Sequence, residues 1–401
     1  MTNIKESSPV NMPYLPDDLL LNCLARVSRF YYPTLSLVSK RFRSLVASAD
    51  IYQTRTLLGC TESCLYVCLR FNSEANQHWF TLCPRLTRTP NPNPNPILNL
   101  RRFTSCFRPQ RNLTNHTRKK EKKSSKSRLV SVQTRKFSPT FWSSHATIGY
   151  NIYMIGECCN TRMNVVSPRV YFMDCRYHTF HKAPSMRMTT WSEPLVSVVD
   201  GKIYVVKTNT KVIDSMIEFF DPKTQIWEHV PSPSVEIDNI SRSLVLDGKL
   251  YLFGDKKMVY KPKENKWDVV GSEIPLRWFP SNTSCVVDNV IYSYGIFREL
   301  KWYDSETRSW ILLKGLEEHS LPFPEVGEPV RLVNYGGKIV ALWEKKAGCI
   351  GPKKKKINIW CAKISLERRS EKEIYGKIEW CNVVLTLSEP YELVQVITTT
   401  V

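Results

Sequence analysis

The chain has 401 residues and a formal net charge of +20, from 57 Lys and Arg against 37 Asp and Glu. Hydrophobic residues make up 42% and charged residues 23%, which is enough apolar material for a large buried core. No apolar run approaches the roughly 20 residues of a membrane helix, and residues 1–10 lack a basic stretch followed by an apolar one, so neither membrane insertion nor secretion is expected.

The charge is local. Residues 85–136 hold 15 Lys and Arg and one acid, Glu121, a net of +14, so the rest of the chain carries only +6. Thirteen cysteines, an odd number, run from Cys23 to Cys381 without framework spacing, as in a reducing compartment. Cys60, Cys64 and Cys68 recur every four residues, and Cys175, His178 and His181 lie close together, but neither set has the paired knuckles of a zinc site. No metal and no cofactor is expected. Four Asn-x-Ser/Thr sequons, at Asn112, Asn115, Asn239 and Asn282, carry little weight without a leader.

In chain order, residues 1–12 are expected to be disordered and residues 13–58 helical. Pro16 suits a first helical turn, and Asp17 and Asp18 place negative charge at the positive end of the helix dipole. Leu19, Leu20, Cys23, Leu24 and Val27 then form one apolar stripe. Pro33 can open a second helix whose apolar positions are Leu35, Val38, Phe42, Leu45 and Val46. About 45 residues with two such stripes make a weak core alone, so a helical cap on the next domain and a partner-binding module are both open.

The runs from Leu15 to Leu20 and from Val38 to Leu45 resemble an F-box, with Phe42 where that family usually has Trp. The resemblance implies docking to the Skp-type adaptor of a cullin–RING ubiquitin ligase. The residues it singles out are Leu15, Pro16, Leu19, Leu20, Leu24, Val38, Phe42 and Leu45, with Asp17 and Arg41 at the rim. Some of these belong to the module's own core, and pattern alone does not sort them.

Residues 62–84 read as a partial blade, the outer two strands of a four-stranded unit, Cys64 to Leu69 and Trp79 to Leu82. Residues 85–140 read as a disordered insertion that opens on alternating Pro and Asn from Pro90 to Pro96. Three roles compete for it: none, nuclear import through Arg118, Lys119, Lys120, Lys122 and Lys123, or contact with nucleic acid. Few aromatics there could stack on bases, so nucleic acid is not expected as a partner. Lys353 to Lys356 form a second, smaller basic loop.

From residue 141 onward the chain repeats. Gly149-Tyr150-Asn151-Ile152-Tyr153, Asp200-Gly201-Lys202-Ile203-Tyr204, Asp247-Gly248-Lys249-Leu250-Tyr251, Asp288-Asn289-Val290-Ile291-Tyr292 and Gly336-Gly337-Lys338-Ile339-Val340 each read as strand, tight turn, strand. Behind four of them an apolar residue stands seven before an aromatic one: Met173 before Phe180, Phe220 before Trp227, Tyr260 before Trp267 and Tyr303 before Trp310. Each repeat is therefore four strands, and such sheets bury both faces only by stacking around an axis.

The repeats, near 146–190, 196–232, 243–272, 284–315 and 330–387, resemble the kelch repeat of β-propellers, although the usual double glycine after the second strand is reduced to one or none. Trp79, Phe180, Trp227, Trp267, Trp310 and Trp380 are the expected structural aromatics of the blades. The Val-, Ile- and Thr-rich run 391–401 is expected to supply a closing strand and complete a sixth blade with 62–84. The fold class is thus a small all-α F-box module followed by an all-β kelch-type β-propeller. The long last blade, with Ile359-Trp360 and Glu379-Trp380, resembles plant F-box/kelch proteins in particular.

No catalytic constellation is found: there is no Gly-x-Ser-x-Gly, His-Glu-x-x-His or phosphate loop. The expected function is the substrate-recognition subunit of an Skp–cullin–F-box ligase, cytoplasmic or nuclear, with a protein target on the propeller. The alternative is a kelch scaffold or a nucleic-acid-associated protein acting outside a ligase.

Overall fold

A computed structural model describes residues 15–73, 77–84, 127–132, 141–158, 166–187, 193–207, 217–233, 239–271, 283–295, 297–316, 329–346 and 356–401. Residues 1–12, Arg118, Lys119, Lys120, Lys122 and Lys123 lie outside the described residues, and with them the expectations placed there. The chain divides into two units, Met1–Glu62 and Ser63–Val401.

In the first unit, α1 spans Asp17–Ala25. Pro16 stands just ahead of it, and its carbonyl accepts the Leu20 N–H at 3.0 Å. A 3₁₀ turn, Arg29–Tyr31, leads into α2, Tyr32–Leu35. The single second helix expected from Pro33 to Val46 is instead broken. Ser39 is extended, and its hydroxyl accepts the Phe42 N–H at 3.1 Å, which caps a new helix, α3, at Lys40–Ala47. The serine side chain offers the backbone a better partner than helix continuation would. Ser48, also extended, separates α3 from α4, Ala49–Leu57.

The second unit consists of six four-stranded antiparallel sheets. The second blade is β4 (Phe141–Ile148), β5 (Asn151–Cys158), β6 (Val166–Asp174) and β7 (Thr179–Ala183). The third is β8 (Leu195–Val199), β9 (Lys202–Val206), β10 (Ile217–Asp221) and β11 (Ile226–His229). The fourth is β12 (Arg242–Leu246), β13 (Lys249–Phe253), β14 (Lys257–Lys261) and β15 (Lys266–Val269). The fifth is β16 (Ser284–Val287), β17 (Val290–Tyr294), β18 (Leu300–Asp304) and β19 (Ser309–Leu312). The sixth is β20 (Val330–Asn334), β21 (Ile339–Lys346), β22 (Ile357–Ser370) and β23 (Glu373–Leu387).

Turn chemistry sets this pattern. Asp200 and Gly201 have φ of 48° and 75°, and Asp247 and Gly248 have 52° and 65°. Two successive left-handed residues make a type I′ turn, whose twist matches that of the flanking strands. The seven-residue spacing places its partners directly opposite one another: Met173 faces Phe180, Phe220 faces Trp227, Tyr260 faces Trp267 and Tyr303 faces Trp310. In the intervening turns Asp174, Asp221 and Asp304 each accept a backbone N–H two residues on, at 2.9–3.1 Å.

The first blade joins the two ends of the second unit. β24 (Tyr391–Thr400) pairs with β1 (Ser63–Phe71), which pairs with β2 (Gln77–Pro84), which pairs with β3 (Ser127–Ser131). Two expectations change here. The strands of the partial blade are its middle pair and not its outer pair, and Trp79 faces Cys68. Their middle position explains why both are apolar on successive residues: Cys64 to Leu69 and Trp79 to Cys83 are all buried. The outer strand comes from within the expected insertion, because Ser127–Ser131 is ordered as β3, with Leu129 and Val130 buried. The remainder of that insertion, 85–126 and 133–140, lies outside the described residues.

The core lies between blades. Trp302, Leu332, Trp343 and Ile364 fill the space between blades five and six, and Leu65, Val67, Leu342 and Val396 that between six and one. Phe220, Trp227 and Ile155 join blades two and three, and Tyr204, Leu252 and Tyr260 join three and four. Between blades one and two, Trp79 meets the buried His145 edge-on at 5.2 Å, and the Tyr66 hydroxyl lies 2.8 Å from His178 Nε2.

Candidate functional site

The helical unit sorts its apolar stripes into two sets. Leu20, Leu24, Ala25, Tyr32, Val46, Ile51 and Tyr52 are buried and form the module's core. Arg55 lies among them, 1% exposed. Its Nη1 donates to the carbonyls of Ala25 (3.0 Å) and Val27 (2.8 Å) and reaches the Tyr32 hydroxyl at 3.1 Å. Burial pushes the Tyr32 phenol above its ordinary value, with the Arg55 bond opposing. Glu62 completes the group: its Oε2 accepts the Arg29 N–H at 3.2 Å and lies 3.5 Å from Arg55 Nη2. This buried arginine satisfies the last carbonyl of α1, that of Ala25, and the Val27 carbonyl just beyond the helix. Nothing in the sequence pattern singled it out, because a lone Arg in a helix reads as a surface residue.

The other set faces outward. Leu15, Leu19, Leu37 and Val38 are 41%, 53%, 51% and 63% exposed. Of the residues taken for adaptor contact, then, Leu15, Pro16, Leu19 and Val38 lie at the surface, Leu20 and Leu24 are core, and Phe42 and Leu45 are half-buried. Leu37 joins the exposed set although the sequence reading passed over it. Asp17 and Arg41 lie at the junction of the starts of α1 and α3. Arg41 Nε donates to Asp17 Oδ1 at 2.5 Å, and Arg41 Nη2 donates to the Leu15 carbonyl. An exposed apolar set on a folded helical unit is what a partner's groove can cover.

The propeller has two unlike ends. At one end the strands are joined by tight turns, such as 149–150, 200–201, 222–225 and 262–265. The chain enters β1 at this end, since Ser63 lies opposite Thr400. Pro84 and Ser127, which bound the basic segment, also face each other there. The opposite end carries the long connections 132–140, 159–165, 184–194, 207–216, 230–241, 270–283, 313–329 and 347–356. Among its described residues are Phe297, 74% exposed, and Glu218, whose side chain is fully buried. Glu218 Oε2 accepts the Arg187 N–H at 3.0 Å, and Oε1 lies 3.7 Å from His229 Nδ1.

The structural aromatics occupy two kinds of place. Phe180, Trp227, Trp267, Trp310 and Trp380 stand on outermost strands, while Trp79 stands on the third strand of its blade. The Trp227 and Trp267 indoles donate to the carbonyls of Pro184 and Pro231 at 2.8 and 2.7 Å, and so tie each blade to the preceding connection.

The cysteine and histidine sets do not converge. Cys64 and Cys68 are buried in β1, His178 contacts Tyr66, and His181 stacks on Phe172 at 5.1 Å with its Nε2 on Thr179. Among the described residues no group of three His, Cys, Asp or Glu is arranged to hold a metal. No helix among them is long and apolar enough to cross a membrane.

The comparisons with known proteins agree with this architecture. The F-box domain model matches residues 12–54, and the model described as FKB95, Kelch-repeats domain, matches residues 102–385. The chain is 57% identical over 399 residues to the putative F-box/kelch-repeat protein At4g11750 of Arabidopsis thaliana, covering 98% of this chain and 99% of that one. It is 54% identical over 411 residues to the putative F-box/kelch-repeat protein At4g11770 of the same plant, covering both fully. It is 41% identical over 404 residues to the Arabidopsis F-box/kelch-repeat protein At4g39550, covering 97% of this chain and 94% of that one. With an F-box helical unit, a six-bladed propeller and full-length similarity to such proteins, the chain belongs to the F-box/kelch-repeat family.

Proposed function

We propose that the chain is the substrate-recognition subunit of an Skp–cullin–F-box ubiquitin ligase. The carrying observation is the outward apolar set Leu15, Leu19, Leu37 and Val38 on a unit whose own core is already filled by other side chains. Those four residues dock in the groove of a Skp-type adaptor, which links the chain to a cullin–RING assembly. The long-connection end of the propeller holds a target protein, since most of the long connections between strands gather there on a rigid ring.

The chain's contribution is not chemical. It raises the effective concentration of the target's lysines near ubiquitin carried by other subunits, and it needs no nucleophile, metal or cofactor of its own. The protein works in the cytoplasm, the nucleus or both.

Proximity labelling from the full chain, run beside a Leu19→Glu variant, tests this reading. The wild type labels adaptor, cullin and target, and the variant loses adaptor and cullin but keeps the target. A labelled set without adaptor, or one dominated by nucleic-acid-binding proteins, points instead to action outside a ligase.

A further inference from the structure

We propose that Arg41 and Asp17 serve adaptor docking as positioning residues, with Arg41 holding Leu15 and the first turn of α1 in place against α3. This inference rests on the adaptor reading above and assigns these two residues a role other than rim contact.

Leu15 precedes α1. The first helical bond runs from the Leu20 N–H to the Pro16 carbonyl, so the Leu15 carbonyl lies outside the helix ladder. It accepts instead from Arg41 Nη2, while Arg41 Nε binds the Asp17 carboxylate at 2.5 Å. One guanidinium thereby holds two groups that lie 24 and 26 positions before Arg41 in sequence. Arg41 sits in the first turn of α3, which the Ser39 cap fixes in turn. The pair is unequal: the arginine side chain is 28% exposed and the aspartate side chain 60%. The arginine is therefore largely used up inside the module and does not project as a free charge.

The exposed apolar residues flank this junction in sequence, Leu15 and Leu19 from α1 and Val38 just ahead of α3. If Arg41 did not hold it, Leu15 would have to be ordered when the adaptor binds. Fixing one backbone residue corresponds to about fivefold to thirtyfold in an equilibrium constant, whereas an exposed ion pair alone corresponds to at most about fivefold. The ordering of Leu15 is the larger effect, and the pair acts through it.

Titration of the full-length chain with a purified Skp-type adaptor tests the inference by a double-mutant cycle. Arg41→Met should weaken binding about tenfold and Asp17→Asn about threefold, with the double variant no weaker than Arg41→Met alone. Arg41→Lys, which keeps the charge but cannot span both acceptors, should recover only part of the loss. Raising the salt should weaken wild type toward the level of Arg41→Met and leave Arg41→Met nearly unchanged. Far-UV circular dichroism checks that the helices persist.

Losses that multiply to about thirtyfold in the double variant would mean that each side chain touches the adaptor separately, which overturns the proposal while leaving adaptor docking intact. Leu19→Ala separates the two ideas, because it should weaken binding without coupling to Arg41. If wild type itself does not bind, the adaptor reading falls and the positioning role falls with it.

Discussion

Removing residues 391–401 should cost the propeller most of its stability. β24 is the only strand that the C-terminal end contributes to the first blade, and it pairs with β1 from Ser63↔Thr400 to Phe71↔Tyr391. Its Leu393 and Val396 are buried against Leu65, Val67 and Leu342. Losing a buried leucine costs about 2–5 kcal/mol, and a buried valine about 1.5–3 kcal/mol. The sum is about 4–8 kcal/mol before any hydrogen bond is counted, against a total stability of about 5–15 kcal/mol for a typical native protein. The truncation also exposes β1 as an unpaired apolar edge, which invites association. Thermal denaturation of the full chain and of the truncated one should therefore differ by about 10 °C or more, with the truncated chain aggregating. A synthetic peptide of residues 391–401, added in excess, should restore part of the difference. A truncated chain that melts within about 2 °C of wild type would refute the idea that the termini lock the ring.

Three further outcomes follow from named contacts. Arg55→Met leaves the Ala25 and Val27 carbonyls without their partner, at a cost of about 2–4 kcal/mol in a unit too small to spare it, so limited proteolysis should cut within residues 15–62 while the propeller resists. Burial holds the Glu218 carboxyl above its ordinary value of 4.5, outweighing the Arg187 N–H and the charges of His229 and Lys207. That penalty is absent below about pH 4.5 and grows as the pH rises and the unfolded chain ionises, so Glu218→Gln should raise the melting temperature at pH 7 and leave it unchanged at pH 4; a lower value at pH 7 would contradict this. Replacing Arg118, Lys119, Lys120, Lys122 and Lys123 with Ala in a fluorescent fusion should lower its nuclear share, and an unchanged distribution would leave the basic segment as a solvated insertion.

The propeller was legible because its signals recur. A turn pair such as Asp247-Gly248 reappears every 41 to 51 residues, a facing pair such as Tyr260 and Trp267 keeps its seven-residue separation, and repetition lifts each above chance. The first blade is less legible because no other blade shares its makeup. Its strands come from three separated stretches, so the fourth strand, β3, stood inside a run whose composition spoke for disorder. Ser127–Ser131 is held by pairing with β2, a non-local contact that composition does not encode. In the helical unit, the apolar stripe from Leu19 to Val27 was visible but its division was not. Leu19 and Leu20 are neighbours with equal hydrophobicity, and only packing with the rest of the module, α4 above all, decides that one is exposed and the other buried. Arg55 was missed for the same reason: its carbonyl partners lie about 30 residues away in sequence.

The most direct test of the whole account is co-purification of the full-length chain with a Skp-type adaptor and a cullin, read as complex mass by size-exclusion chromatography with light scattering. The account predicts a stable complex with one copy of each protein for the wild type, and loss of adaptor and cullin together from a Leu15→Ala/Leu19→Ala/Val38→Ala variant whose propeller still melts as wild type does. A wild-type chain that elutes alone, or a variant that retains the adaptor, would contradict it.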